Sequence, residues 1–213
     1  MKADLHCHSH FSDGKHTADF LIERALLNGV THLAITDHDC TNVHAELHRS
    51  EALSIIKGVE ISCDWQGREL HIVGLCIDPN NSKLNNLLAE QQQKRRQRVC
   101  QMDAKLAARG ITGLLPYMAA LPAVAQTRSH VADFLIQHKV CKTRKKVFKQ
   151  YLNKSGKAYV AAQWCSLEAA VEAIILAGGI AVIAHPGRYG LSRAKLSQLC
   201  LLYTSPSPRD GLL

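Results

Sequence analysis

Asp4-Leu5-His6-Cys7-His8-Ser9-His10-Phe11-Ser12-Asp13-Gly14 places a histidine at every second residue and then a carboxylate in a tight turn. Side chains alternate faces along a β-strand, so His6, His8 and His10 fall on one face and Cys7 on the other, where it reads as core packing. Neutral imidazole is the commonest metal ligand in proteins, and i, i+2 spacing lets two rings converge on one ion. Ser12-Asp13-Gly14 ends the strand and brings a carboxylate to the same end. A polar strand face carrying surface histidines is the competing interpretation; donors farther along the chain decide between the two.

Outward from this strand (residues 2–8), the pattern predicts a helix over 17–28, with Thr17 as N-cap and Gly29 just past its end. A short apolar strand follows at 31–37, a helix at 43–53, and two strands at 54–63 and 68–77 joined by a hairpin turn at Trp65-Gln66-Gly67. Composition shifts at Asp78-Pro79-Asn80-Asn81. A long polar helix is predicted over 84–108, with shorter ones at 129–140 and 142–152. Strand character returns at Tyr159-Val160, followed by a helix over 166–177, a strand over 179–184 and a helix over 192–200. The β-α-β-α-β order implies an α/β layered or barrel fold. The expected organisation is a first barrel part (1–81), a helical insertion (82–156), a second barrel part (157–200) and a tail (201–213) whose two Ser-Pro steps interrupt the helix and resemble translated adapter read-through.

Bulk properties narrow the function. The chain has 213 residues, 26 Lys and Arg against 18 Asp and Glu, and a formal charge of +8. That balance favours anionic partners such as nucleotides or nucleic acid. Aromatic residues make up only 5%, little material for an extended base-stacking platform. Eight scattered cysteines without a C-x-x-C pair or a secretory signal predict reduced thiols and a cytoplasmic protein. No apolar run approaches the ~18–20 residues of a membrane span, and no obligate protein partner is implied.

Further donors do arrive, each where a strand yields to a loop. His38 lies between two acids in Asp37-His38-Asp39. Glu60 interrupts the apolar Gly58-Val59-Glu60-Ile61, where a buried carboxylate is costly unless paired or metal-bound. His71 sits in Leu70-His71-Ile72, with a backbone-bonded core histidine as the alternative. His185 follows an apolar strand and precedes Pro186-Gly187. In α/β barrels the strand C-termini and their loops build the active site.

Taken together, Asp4-Leu5-His6-Cys7-His8, Asp37-His38, Gly58-Val59-Glu60 and Ala184-His185-Pro186 resemble the polymerase and histidinol phosphatase (PHP) superfamily over residues 1 to about 200. The Phe11-Ser12-Asp13-Gly14 turn, Arg128-Ser129-His130 and His185-Pro186-Gly187-Arg188-Tyr189 are closest to its bacterial nucleoside 3′,5′-bisphosphate phosphatase and 5′-to-3′ exoribonuclease (ribonuclease AM) group. The resemblance implies a distorted (β/α)7 TIM-like barrel, incomplete here at its C-terminus, with three divalent ions, Mn²⁺ foremost and Zn²⁺, Fe²⁺ or Mg²⁺ as alternatives. It implies that His6, His8 and Glu60 hold one ion, that Glu60 bridges to a second held by His71 and His185, and that Asp13 and His38 hold a third. Glu60, His38 and Asp13 then carry the catalytic roles. The implied activity is removal of the 3′-phosphate from nucleoside 3′,5′-bisphosphates and stepwise degradation of short 5′-phosphorylated RNA. Members of the group also have an Asp-x-His after a further strand, and none follows His185 in this sequence, so the expectation is impaired turnover.

Arg128, His130 and Arg188 are the candidate phosphate-binding residues, Arg by bidentate charge-assisted bonds. A salt bridge is the alternative for Arg128, and a ligand role in place of His185 for His130. The basic runs at Lys94, Arg95, Arg96 and Arg98, and at Lys142, Arg144, Lys145, Lys146 and Lys149, are read as solvated helix faces or as a track for an RNA backbone. His10, His16, His32, His44, His48 and His138 are left outside the site. Two other functions remain open: a histidinol-phosphate phosphatase, and a non-catalytic PHP-type module that binds nucleic acid.

Overall fold

The computed structural model describes residues 1–47 and 52–204. The opening strand β1 (Ala3–Cys7) pairs in parallel with β2 (His32–Ile35), and β2 pairs in parallel with the first residues of β3 (Ser54–Trp65). Between β1 and β2 runs α1 (Ala18–Leu27), whose N-cap Thr17 accepts a hydrogen bond from the Phe20 amide. Its inner face, with Ala18 and Ala25, packs with Leu33, Ile35 and Val43 on one side of the sheet.

β3 then turns back into β4 (Arg68–Leu75), antiparallel, with Trp65 opposite Arg68. Gln66 (φ 52°) and Gly67 (φ 73°) are both left-handed, the geometry of the two-residue turn that matches strand twist. Gly58 lies where β2, β3 and β4 meet: a Cβ there would stand 2.8 Å from Thr36 Cγ2 and 2.9 Å from the Gly74 carbonyl oxygen. The short β5 (Cys165–Ser166) pairs in parallel with the end of β3, and β6 (Ile180–Ile183) pairs antiparallel with β4. The strand order β1-β2-β3-β4-β6, with β5 against β3, is a curled mixed sheet with helices outside it, an incomplete barrel as expected.

Helix α6 (Leu167–Leu176), capped by Ser166, covers β3 and β4 through Leu167, Ala170, Val171 and Ile174. The 26-residue α2 (Ser82–Ala107) serves two cores. Leu84 and Leu88 join the sheet's core, whereas Val99, Met102 and Leu106 pack with α3 (Leu114–Ala119), α4 (Arg128–Gln137) and α5 (Arg144–Val147), which continues as a wider turn through Phe148–Leu152. Helix α7 (Arg193–Thr204) runs four residues past its expected end, to the last of the described residues.

Two sequence expectations fail. Among the described residues, the stretch predicted as a helix over 43–53 forms one 3₁₀ turn, Asn42–Ala45; Thr41 supplies no side-chain cap, and His44 Nε2 is held 2.7 Å from the Gly58 carbonyl oxygen. Residues 48–51, including His48, lie outside the described residues. Tyr159-Val160 is not a strand, because its carbonyls are taken by Lys105 Nζ (2.5 Å) and Arg98 Nε (3.1 Å) from α2. The tail at 205–213 also lies outside the described residues.

Because the space above Gly58 is filled by backbone and Thr36, Gly58→Ala should cost about 1–3 kcal/mol, the range for overpacking a close-packed interior. Urea denaturation should show a lowered midpoint with an unchanged slope; an unchanged midpoint would contradict the packing described.

Candidate metal centre

Glu60 is 1% exposed, in the middle of β3, and five imidazoles surround its carboxylate. Oε1 lies 3.2 Å from His6 Nε2, 3.2 Å from His71 Nδ1 and 3.1 Å from His185 Nε2; Oε2 lies 3.2 Å from His8 Nε2 and 3.0 Å from His38 Nδ1. The five come from four parts of the sheet. His6 and His8 share the face of β1 and its extension. His38 follows β2 on a bridge that pairs it with Glu60, closed by Asp39 N to Glu60 O (2.8 Å) and Glu60 N to Asp37 O (3.1 Å). His71 is on β4. His185 follows β6 in the left-handed region, φ 33°, a conformation that costs about 1–3 kcal/mol for a residue other than glycine.

Asp13 completes the group. Its Oδ1 lies 3.8 Å from both His8 Nδ1 and His38 Nε2. The loop carrying it is wound tightly by Ser12 N and Gly14 N donating to Ser9 O. A Cβ on Gly14 would come within 2.0 Å of the His8 carbonyl oxygen, so this turn admits only glycine there. His6, His8, Asp13, His38, Glu60, His71, His185 and Arg188 line one cavity of about 460 Å³.

Hydrogen bonding alone does not account for this arrangement. A carboxylate offers about four acceptor sites, fewer than the imidazoles around it. His6 and His8 direct their Nε2 atoms at each other, 3.3 Å apart. His38 Nδ1, 3.0 Å from Glu60 Oε2, is misaligned as a donor and has no hydrogen-bond partner, and His185 Nδ1 has none either, among the described residues. More imidazoles around one carboxylate than it can accept from, with two ring nitrogens directed at each other, is the pattern of groups that share cations. Three sets bring their donor atoms within 4.8 Å of one another: His6, His8 and Glu60; His8, Asp13 and His38; His38, Glu60 and His71. The His/Glu clusters are thus compatible with metal binding.

The electrostatics show how strongly the buried carboxylate draws positive charge. Burial opposes ionisation of Glu60, but bonds from His185, His6, His71 and His8 outweigh it and hold the carboxyl far below the usual range. Burial disfavours a charged His71, yet Glu60 and Glu69 push its pKa up to about 9. His8 is likewise raised, burial being overcome by Glu60. His38 goes the other way: burial, offset only in part by Glu60, holds it well below its ordinary value. It is therefore neutral, the form that binds metal.

Residues around the cluster hold it in place, and the sequence reading missed several. Asp37 is fully buried and accepts from Ser9 N (2.7 Å), Ser9 Oγ (2.5 Å) and Ser12 Oγ (2.6 Å), tying the Asp13 loop to the end of β2. Asp39, left-handed at φ 45°, accepts from Ser62 N (2.8 Å) and from Arg95 Nε and Nη2 (2.9 and 2.5 Å). Arg95 is 5% exposed, so its reading as a solvated face is corrected: α2 crosses the sheet here, and Gln91 and Gln92 bond to Ser62 O and Asp39 O at 2.6 Å each. The signal available in the sequence was the pair of acids flanking His38, which need buried partners.

His130 is corrected too. Its Nδ1 accepts from Thr127 N–H (3.0 Å) as part of the α4 capping box, and its Nε2 donates to Ser12 O (2.9 Å). No ring nitrogen is left for a phosphate or a metal. The neighbouring Ser129 hydroxyl donates to Asp13 Oδ2 (3.0 Å). Arg128 lies 3.8 Å from Glu69, the salt-bridge alternative. Glu69 is held down to about 2, burial being outweighed by His71, Arg128 and Arg98. Arg188 alone of the three expected phosphate-binding residues lines the cavity over the cluster. His10 stays outside, stacked on Phe11 at 4.5 Å, and Cys7 faces Ala34 O as expected of core packing.

Comparison with known proteins places the chain in a family. The PHP domain family matches residues 4–181. The chain is 43% identical over 202 residues to the 5′-3′ exoribonuclease Rnm of Escherichia coli (strain K12), covering 92% of this chain and 69% of that protein. It is 40% identical over 210 residues to the 3′,5′-nucleoside bisphosphate phosphatase of Chromobacterium violaceum, covering 93% and 71%. A crystal structure from Bifidobacterium adolescentis, assigned as a metal-dependent phosphoesterase, superposes with a TM-score of 0.84 at 28% identity, covering 95% of this chain and 74% of that one.

Removing one partner of a buried ion pair strands the other, so Arg95→Ala should destabilise the protein by about 3–5 kcal/mol, whereas Arg95→Met combined with Asp39→Asn should recover most of that loss. Chemical denaturation of the two variants checks this; equal losses would show that the charge pair is not what joins α2 to the His38 segment.

Proposed function

Because this chain belongs to the PHP domain family, we propose that its Glu60-centred cluster binds divalent metal and hydrolyses phosphoesters of nucleotides. The observation that carries the reading is the convergence of five imidazoles and Asp13 around one buried carboxylate. His6, His8 and Glu60 would hold one ion, Glu60, His71 and His185 a second, and Asp13 and His38 a third; His8 and His38 also stand close enough to be shared. Mixed imidazole and carboxylate donors suit Mn²⁺, Zn²⁺ or Fe²⁺ better than an all-oxygen Mg²⁺ site. Bound metal supplies an activated water and neutralises charge on the phosphoryl group.

The chain's own residues do the rest. Glu60, buried and ionised, fixes the spacing of the donors. Arg188, at the rim, pairs with the phosphate oxygens that face away from the cluster. The Asp13 loop, locked by Asp37, Ser129 and His130, closes the opposite side.

The substrates are nucleoside 3′,5′-bisphosphates, cleaved at the 3′-phosphate, and short 5′-phosphorylated RNA, cleaved from its 5′ end. The relatives named for these activities cover most of this chain, and the net charge of +8 suits a polyanion. Histidinol phosphate, a phosphate monoester of a cationic amino alcohol, suits so basic a surface less well. A non-catalytic binding module has no use for a complete inner set of donors around Glu60. No helix among the described residues is long and apolar enough to cross a membrane.

With Mn²⁺ added, hydrolysis of adenosine 3′,5′-bisphosphate should exceed that of histidinol phosphate by at least about a hundredfold in kcat/KM, at whatever absolute rate. Chelation should abolish it and Mn²⁺ should restore it. Preference for histidinol phosphate, or turnover unaffected by chelator, would overturn the reading.

A further inference from the structure

The two imidazoles proposed for the second ion, His71 and His185, reach Glu60 Oε1 by different routes. His71 projects from within β4, 3.2 Å away. His185 comes to 3.1 Å at the point where the chain leaves β6. The β4–β6 ladder runs from Leu75 opposite Ile180 to Ile72 opposite Ile183, and its last bond joins Ala184 N to His71 O (2.9 Å). In an antiparallel ladder such a pair exchanges two bonds, so the His71 amide would ordinarily donate to the Ala184 carbonyl. It does not. His185 turns left-handed (φ 33°, ψ 56°), and the chain winds into a 3₁₀ turn, Pro186–Tyr189.

That turn supplies a substitute. The Tyr189 hydroxyl accepts from the His71 amide at 2.9 Å, where a strand carbonyl would otherwise stand. The phenol ring lies against the core of the sheet and tilts over the His185 ring, their centres 5.4 Å apart. The His185 ring in turn meets the His71 ring edge-on at 5.2 Å. The Tyr189 carbonyl accepts from Arg68 Nη1 (3.3 Å) at the start of β4, so backbone and side chain both fix the turn. One side chain thus bonds the backbone of one donor residue and packs on the ring of the other. A conformation as unfavourable as that of His185 persists where its surroundings over-determine it, and Tyr189 is part of those surroundings.

We propose that Tyr189 is a positioning residue for the metal centre: its hydroxyl replaces the lost ladder bond and holds His71 and His185 at a common spacing from Glu60 Oε1. The inference rests on the metal-binding reading of the cluster and adds to it a residue that gives no donor atom to an ion. Partners that orient a ligating histidine usually bond its second ring nitrogen. Here the hold is on the backbone of His71, and it is tied to His185 through the same aromatic ring.

The test is titration of the whole chain with Mn²⁺ in the absence of substrate, read by the electron paramagnetic resonance signal of free Mn²⁺. Tyr189→Phe removes the hydroxyl and keeps the ring. It should weaken one class of bound Mn²⁺ by about 10–100-fold, the range for losing a ligand's supporting partner, and leave the rest within about threefold. Tyr189→Leu, which gives up the ring packing as well, should show a lower urea midpoint without Mn²⁺ than Tyr189→Phe, yet match its Mn²⁺ affinities within about twofold. In a His185→Ala background, where that ion has already lost a donor, Tyr189→Phe should change Mn²⁺ affinity by less than about twofold, because changes acting through one site do not add. Unchanged Mn²⁺ binding in Tyr189→Phe, an equal weakening of every ion, affinity that falls in step with the urea midpoint, or a full further loss in the His185→Ala background would each overturn the positioning role. If the unmodified protein takes up no Mn²⁺, the metal reading itself fails, and this inference with it.

Discussion

The Glu60 carboxylate sets the terms for the rest of the molecule. One ionised group with no exposure to water must be compensated, and the chain does this with imidazoles delivered by β1, the β2 extension, β4 and the end of β6. The compensation overshoots: more nitrogens converge than two oxygens can accept. The His6–His8 ring-nitrogen pairing and, among the described residues, the unpartnered Nδ1 atoms of His38 and His185 are its cost. Cations shared among these donors would relieve the crowding around Glu60, and the geometry is compatible with the metal binding proposed above.

The helices between β4 and β5 brace this arrangement. Arg95 of α2 reaches Asp39, one residue from His38. Ser129 and His130 of α4 hold Asp13 and Ser12. The strained backbone at Asp39 and His185 persists because such contacts over-determine it. A segment whose composition looks independent of the sheet therefore fixes two of the donor-bearing loops.

Strand periodicity, the Gln66-Gly67 turn and donors spaced along or just past the strands made the sheet and the cluster legible in the sequence, because each is a local signal with a local cause. Glu60 and His71, expected where strands yield to loops, lie inside β3 and β4. Arg95, Gln91 and Gln92 were not legible. Polar residues on a helix read as solvated unless their partner is known, and Asp39 lies 56 residues away from Arg95. His130 misled for the same reason: its partners are a cap three residues back and the carbonyl of Ser12 across the fold. The 3₁₀ turn at Asn42–Ala45, found among the described residues in place of an α-helix, shows the opposite failure, where helix-forming residues yield to a tertiary tie between His44 and Gly58.

The most direct test of the Glu60 centre is anomalous diffraction from crystals grown with Zn²⁺ or Mn²⁺. The account predicts anomalous peaks among His6, His8, Asp13, His38, Glu60, His71 and His185, with at least one ion bonded to Glu60; for Zn²⁺ the metal–donor distances should be about 2.0–2.2 Å. A fully loaded crystal with no peak at Glu60, its imidazoles still packed around a bare carboxylate, would contradict it.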